Sequence, residues 1–459
     1  MTLAYAYAAA DLAAWTEGRW TAAPAVPVAG FGIDTRALRA GEMFVAVRTE
    51  RRDGHDFLAA ARTAGAAGAL VGRPVADPLP QLVVADPLIA LRRVAARARA
   101  AFPGVVIGIT GSVGKTSTKE LLAALLGAEA FATEANLNNT IGVPLMLLRA
   151  DPARHRYAVI EAGMSLPGEL GVSAAVVRPD IAIVTAVAPV HLEGVGSLAG
   201  IAREKASLVG ALAPGGQAVL PVALLAWPDF AAYADRCVAV AFGDEPLPAV
   251  APARLVRASF GVAADGGRTL ALDGATFPLG PLSDGLARNA VLAVVAAQLA
   301  GRASAELTAA LAAWAPPAGR GSVHVDGART FTVDCYNSSP ASLLDAAQAF
   351  DRRSRASAEP RLFVLGGMAE LGPTSARLHR DCGAQLPLRP DDRVVVFGGD
   401  AAAFLQGVAH PEEGLVAATI EEAAARVAAH RGHVFLKGSR SFALERCLPA
   451  HLRAALSFH

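Results

Sequence analysis

Cysteine is scarce in this chain, with four in 459 residues, Cys237, Cys335, Cys382 and Cys447. They show no paired metal-ligand spacing and are too sparse for a secreted disulfide framework, so four buried apolar thiols in a reducing cytoplasm are expected. Charge of one sign is lacking too. Forty-two basic residues face 41 acidic ones, for a formal net charge of +1. That balance leaves no footprint for nucleic acid and no polybasic patch for a membrane, and points to small-molecule partners. The opening Met1-Thr-Leu-Ala-Tyr5 has no basic leader and meets Asp11 early, so no export signal is expected. A long apolar run is also missing. Residues 206–228 are uncharged, but Pro214-Gly-Gly216 and Pro221 cut them into pieces too short to span a bilayer. A buried helix, a turn and a strand are expected there, in a cytoplasmic protein.

What stands out instead is Gly108-Ile-Thr-Gly-Ser-Val-Gly-Lys-Thr-Ser-Thr-Lys-Glu120. It follows the apolar run Val105-Val-Ile107 and precedes Leu121, Leu122, Leu125 and Leu126 at helical spacing, which predicts strand, glycine loop and helix. Such a loop binds phosphate. Glycines turn backbone N–H groups toward the ligand, the helix N-terminus is positive, Lys115 adds charge and the Thr116 hydroxyl suits magnesium. The general motif has a further glycine where Ile109 stands, leaving the shorter Thr110-Gly-x-x-Gly-Lys-Thr116.

The remaining pattern predicts an α/β protein of three domains: a small N-terminal α/β domain (residues 1–101), a central P-loop, parallel-sheet domain (102–316) and a C-terminal Rossmann-like domain (317–459). In the first, short apolar runs end in the polar clusters Asp34-Thr-Arg36 and Arg52-Asp-Gly-His-Asp56. Centrally, Tyr157-Ala-Val-Ile160 leads into Glu161, and Ile181-Ala-Ile-Val-Thr185 leads into a loop with His191 and Glu193. Parallel sheets bind ligands beyond the carboxyl ends of their strands, so Thr116, Glu161 and His191 are expected to converge on a magnesium site. Asn136-Leu-Asn-Asn139 offers amides nearby. Lys205 lies in a helix-like stretch and, by spacing alone, reads as solvated. Residues 250–280 read as strands with turns at Asp265-Gly-Gly267 and Asp273-Gly274. Four further apolar runs close the chain, ending at Asp334-Cys-Tyr-Asn337, Gly366-Gly367, Gly398-Gly399 and Lys437-Gly-Ser-Arg440; they predict a doubly wound sheet with Lys437 and Arg440 where an anion would sit.

Taken together these motifs resemble the Mur ligases, most closely the MurF class, over the whole chain. The features most typical of the class are Asp334-Cys-Tyr-Asn337, Met368-Ala-Glu-Leu-Gly372 with His379, and Lys437-Gly-Ser-Arg440. The resemblance implies an ATP-dependent ligase, expected to be a monomer, that joins D-alanyl-D-alanine to UDP-N-acetylmuramoyl-tripeptide through an acyl phosphate, with 1–101 as the UDP-sugar substrate domain and 102–316 as the ATPase domain. It implies that Gly111, Ser112, Val113, Gly114, Lys115, Thr116 and Ser117 hold ATP, with Asn289, Arg320 and Asn337. Two Mg2+ ions are implied at Thr116, Glu161, His191 and a carbamylated Lys205, making Lys115, Glu161, His191 and Lys205 the catalytic set. Substrate contacts are implied for Asp34, Thr35, Arg36, Asn138, Asn139, Lys437 and Arg440. Two motifs depart from the class. Gly285 and Leu286 stand in the first two places of its His-Asn-x-x-Asn pattern, and Gly367 stands where an aspartate precedes the methionine. Within the same chemistry the alternatives are another Mur-type amino-acid ligase or a folylpolyglutamate synthase; outside it, a nucleotide-binding pseudo-ligase scaffold.

Overall fold

A computed structural model describes residues 6–189, 192–263 and 268–456. These residues form three sheets, each built largely of parallel strands.

The first sheet contains β1 (Arg19–Trp20), β2 (Phe31–Gly32), β3 (Met43–Val45), β4 (Gly68–Val71) and β5 (Gln81–Val83), in the order β1-β5-β4-β3-β2. All pairings except β1–β5 are parallel. The cluster at 52–56 serves the fold here. Asp53 Oδ1 lies 2.5 Å from His55 Nδ1, and Gly72 N donates to His55 Nε2 at 3.0 Å, which places the imidazole proton on Nδ1. A helix begins at Pro87, where Asp86 caps it by accepting from Leu88 N and Ile89 N at 2.7 and 3.0 Å, and runs to Ala101. Its Leu91, Val94 and Ala95 share one buried cluster with Val143 and Leu170 of the next unit, so the helix joins the two.

The second sheet holds β6 (Val105–Thr110), β7 (Ala130–Ala132), β8 (Tyr157–Glu161), β9 (Ile181–Val184), β10 (Gln217–Pro221), β11 (Cys237–Phe242), β12 (Arg254–Val262), β13 (Arg268–Leu272) and β14 (Ala275–Leu279). Its order is β14-β13-β12-β11-β10-β9-β6-β8-β7. β6 lies centrally because Val106, Ile107 and Ile109 are buried by helices on both faces, as its unbroken apolar run demands. β12 to β14 extend the sheet antiparallel, and the β13–β14 turn is Asp273-Gly274 with φ of +48° and +79°, the two-residue hairpin geometry that glycine favours. The other expected turn, Asp265-Gly-Gly267, lies outside the described residues.

The third sheet comprises β15 (Ser322–Asp326), β16 (Arg329–Asp334), β17 (Arg361–Gly366), β18 (Arg393–Phe397), β19 (Gly414–Ala417) and β20 (Gly432–Lys437), ordered β15-β16-β20-β17-β18-β19. The four expected runs are β16, β17, β18 and β20. β15 and β19 were not anticipated: β15 alternates buried and exposed residues as an antiparallel edge, and β19 is four residues long. The insertion of β20 between β16 and β17 makes a switch point there, as the placement of β6 between β8 and β9 does in the second sheet.

Candidate active site

Past β6 the chain must turn sharply under the sheet edge, and two glycines permit it. Gly111 has φ +153°, and a Cβ on it would fall 1.8 Å from Thr185 Oγ1. Gly114 has φ +84°, and a Cβ there would fall 2.2 Å from Asn289 Nδ2. Asn289 therefore packs directly on the loop. Ser112 straps the loop to the segment after β9: its Oγ donates to Ala188 O at 3.0 Å and accepts from Ala188 N at 2.9 Å. Thr185 Oγ1 donates to Val113 O at 2.5 Å. The helix Lys115–Leu126 then starts at the lysine.

Lys115 Nζ donates to Gly111 O at 2.7 Å. Burial pushes its pKa down, with Glu161 opposing and Arg320 adding to the fall. Thr116 Oγ1 donates to Glu161 Oε1 at 3.2 Å, and Asn138 Nδ2 donates to the same oxygen at 2.8 Å. Glu161 Oε2 is buried with no hydrogen-bond partner among the described residues. Such an atom is costly unless a ligand completes it. Lys205 is only 2% exposed, correcting its reading as solvated. The signal was present: Ile201 and Val209, four residues either side, are buried on the same helical face. Burial drives the Lys205 pKa well below 10.5, the nearby Lys115 charge drives it further, and Glu204 opposes.

A cavity of about 880 Å³ opens over this loop, walled by the second and third sheets. Expected residues that line it are 112–117, Asn138, Asn139, Glu161 and Asn289 on one side, and Arg320, Asn337 and Lys437 on the other. Lys437 Nζ lies 3.0 Å from Asp334 Oδ2 and donates to Asn337 O at 2.7 Å. Arg440 is exposed, pairs with Glu445 and does not line the cavity. Asp34, Thr35 and Arg36 also stand apart from it, in the turn after β2 of the first sheet. There Asp34 accepts from Arg36 Nε and Nη2 at 2.9 and 2.6 Å, which lowers the Asp34 pKa to about 2. His191 lies outside the described residues, as does the Glu193 side chain. Among the described residues no three His, Cys, Asp or Glu side chains cluster as a metal site.

Tyr336 and Glu370, quoted above only within motifs, and Asp345, not singled out at all, line the cavity too. The Arg320 guanidinium stacks over the Tyr336 ring, 3.9 Å from its centre. Asp345 Oδ1 accepts from Gly285 N at 3.0 Å, and a Cβ at 285 would lie 2.6 Å from Asp345 Oδ2. The glycine departure thus lets the third unit dock on the second. Gly367 has a comparable cause: a side chain there would meet Gly398 O at 2.8 Å and the Phe442 ring at 2.9 Å.

Comparison with known proteins gives the chain its place. Residues 109–271 match the Mur ligase middle domain, and 319–440 match the domain described as Mur ligase, glutamate ligase domain. The UDP-N-acetylmuramoyl-tripeptide--D-alanyl-D-alanine ligase of Bacillus subtilis is 30% identical over 93% of this chain and 94% of its own. The chain belongs to the Mur ligase family. Its MurF class is borne out by fold as well. A MurF crystal structure from Acinetobacter baumannii superposes with a TM-score of 0.84 at 28% identity, covering 98% of this Mur ligase and 99% of that chain. A MurF ligase from Thermotoga maritima in complex with ADP superposes at 0.77 and 26% identity, covering 91% and 96%. Among the described residues of this Mur ligase no helix is long and apolar enough to cross a membrane.

Proposed function

We propose that this Mur ligase joins D-Ala-D-Ala to UDP-MurNAc-tripeptide with ATP, as a cytoplasmic monomer in cell-wall precursor synthesis. The observation that carries the reading is the cavity, where the glycine loop and Glu161 face Arg320, Asn337 and Lys437 across space for a nucleotide and an acyl group.

A free carboxylate is a poor acyl donor, so the tripeptide carboxylate oxygen attacks the γ-phosphorus of ATP, ADP leaves, and an acyl phosphate forms. The amine of D-Ala-D-Ala then attacks the acyl carbon, loses a proton and expels phosphate. Lys115 and the loop N–H groups stabilise charge on the transferring phosphoryl group. Asn289, packed on Gly114, and Asn337 with the Arg320–Tyr336 pair hold the nucleotide. Thr116 and the unpartnered Glu161 Oε2 suit one magnesium ion, while Glu161, His191 and Lys205 would hold a second. Bound there, magnesium neutralises the crowded phosphate oxygens. The lowered Lys205 pKa supports carbamylation: the neutral amine adds to the carbon of CO2 and releases a proton, turning a cation that would repel metal into an anion that binds it. Asn138 orients Glu161, and Asn139 holds the loop behind it through Gly142 N at 2.8 Å. Asp34, Thr35 and Arg36 would meet the nucleotide-sugar end of the substrate, and Arg440 would reach the site on closure.

Phosphate release is the test. It should require both UDP-MurNAc-tripeptide and D-Ala-D-Ala. Release with ATP alone, or with a single amino acid in place of the dipeptide, would refute this assignment.

A further inference from the structure

Lys119 is 2% exposed, lies one turn beyond Lys115 on the same helix, and has no role in the chemistry above. Its Nζ donates to Thr133 O at 2.6 Å and pairs with Glu120 Oε1 at 2.6 Å. Burying an ammonium is expensive, so its partners matter.

Thr133 is where β7 leaves the sheet. β7 runs parallel to β8 with Ala132 opposite Val159, and the ladder continues one step as Thr133 N donates to Val159 O at 3.0 Å. In a regular parallel ladder the carbonyl of Thr133 would next accept from Glu161 N. It does not. Glu161 N donates instead to Thr133 Oγ1 at 2.9 Å, and the freed carbonyl turns to Lys119. The side chain has taken over a backbone position, and the backbone is pulled toward the helix. From there the chain passes through Ala135, at φ +47°, to Asn138, whose amide reaches Glu161 Oε1 and whose carbonyl accepts from Gly163 N at 2.7 Å.

We infer that Lys119 is a positioning residue: through Thr133 it fixes Glu161 relative to Thr116, and so sets the affinity of the loop for a divalent cation. Both ends of the link belong to elements that carry the proposed metal ligands, since Thr116 and Lys119 share one helix and Glu161 ends β8. The inference rests on the proposed role of Thr116 and Glu161, and the experiment separates the two.

ADP binding to the full chain would be followed by calorimetry without magnesium and across a magnesium titration, together with the magnesium dependence of phosphate release. Lys119→Met and Thr133→Val should leave ADP affinity without magnesium close to wild type and raise the half-saturating magnesium concentration by about tenfold or more, as loss of a ligand's support does. Thr133→Ser keeps the hydroxyl and should titrate like wild type. If Lys119→Met does not fold, the Thr133 pair decides by the same criterion. Wild-type magnesium dependence in Thr133→Val or in folded Lys119→Met, beside a large shift in Glu161→Gln, overturns the inference alone. No shift in Glu161→Gln overturns the metal assignment, and this inference with it.

Discussion

Lys205 couples the site to pH. Its folded-state pKa is well below the ordinary 10.5 it regains on unfolding, so between those two values the unfolded chain holds the extra proton. Stability then rises with pH through that window, by at most about 1.4 kcal/mol per pH unit for one proton, and the penalty is largest below the folded pKa. Lys205→Met should therefore abolish phosphate release yet unfold at higher denaturant than wild type at neutral pH in carbonate-free buffer, with a flatter rise toward pH 10. Equal pH slopes in the two proteins would contradict the buried amine. The thiols give a second expectation. Burial raises Cys335 and Cys447 to about 12, and Cys237 and Cys382 to about 11. A thiol reagent at pH 8 should label none of the four until denaturant is added, because thiolate is the reacting form. Rapid labelling of native protein would count against their burial.

At the level of elements, the glycine loop is held at two points by the segment after β9, through Thr185 on Val113 and through Ser112 on Ala188. Gly111→Ala puts a methyl 1.8 Å from Thr185 Oγ1, so the loop must move off β9. ADP binding should fall by about a hundredfold or more while the far-ultraviolet circular dichroism stays that of wild type. Retained ADP affinity would mean the loop tolerates displacement. This element was readable beforehand because its signals are local: an apolar strand, glycines at fixed offsets and a helical repeat. Glu161 was readable for the same reason, as the polar residue closing an apolar run. Asp345 was not, since its role arises from a hydrogen bond to Gly285, 60 residues away in sequence. Lys205 fell between. Its position on an apolar helical face was visible in the sequence, but a lysine in such a place looks like a surface residue unless the face is known to be buried. Arg440 stands in a suggestive basic run, but its pairing with Glu445 could not be read from that run.

Among the described residues, the second and third units meet through few polar contacts. Arg353 Nη2 donates to Pro281 O at 2.9 Å, Arg352 reaches Asp284 at 3.3 Å, and Asp345 holds Gly285. Contacts so sparse suit units that move as bodies about a hinge. Solution scattering should show the radius of gyration falling when an ATP analogue and UDP-MurNAc-tripeptide are added. An unchanged radius would rule out closure. The shared cavity has one more consequence, for how the molecule comes apart. A ligand gripped by both walls stabilises only the arrangement in which both are folded and joined, so its binding energy is withdrawn from either unit melting alone. Scanning calorimetry of the free protein should resolve more than one transition. With saturating nucleotide, the transitions of the two walls should merge and move upward together, the ligand making one cooperative block of two.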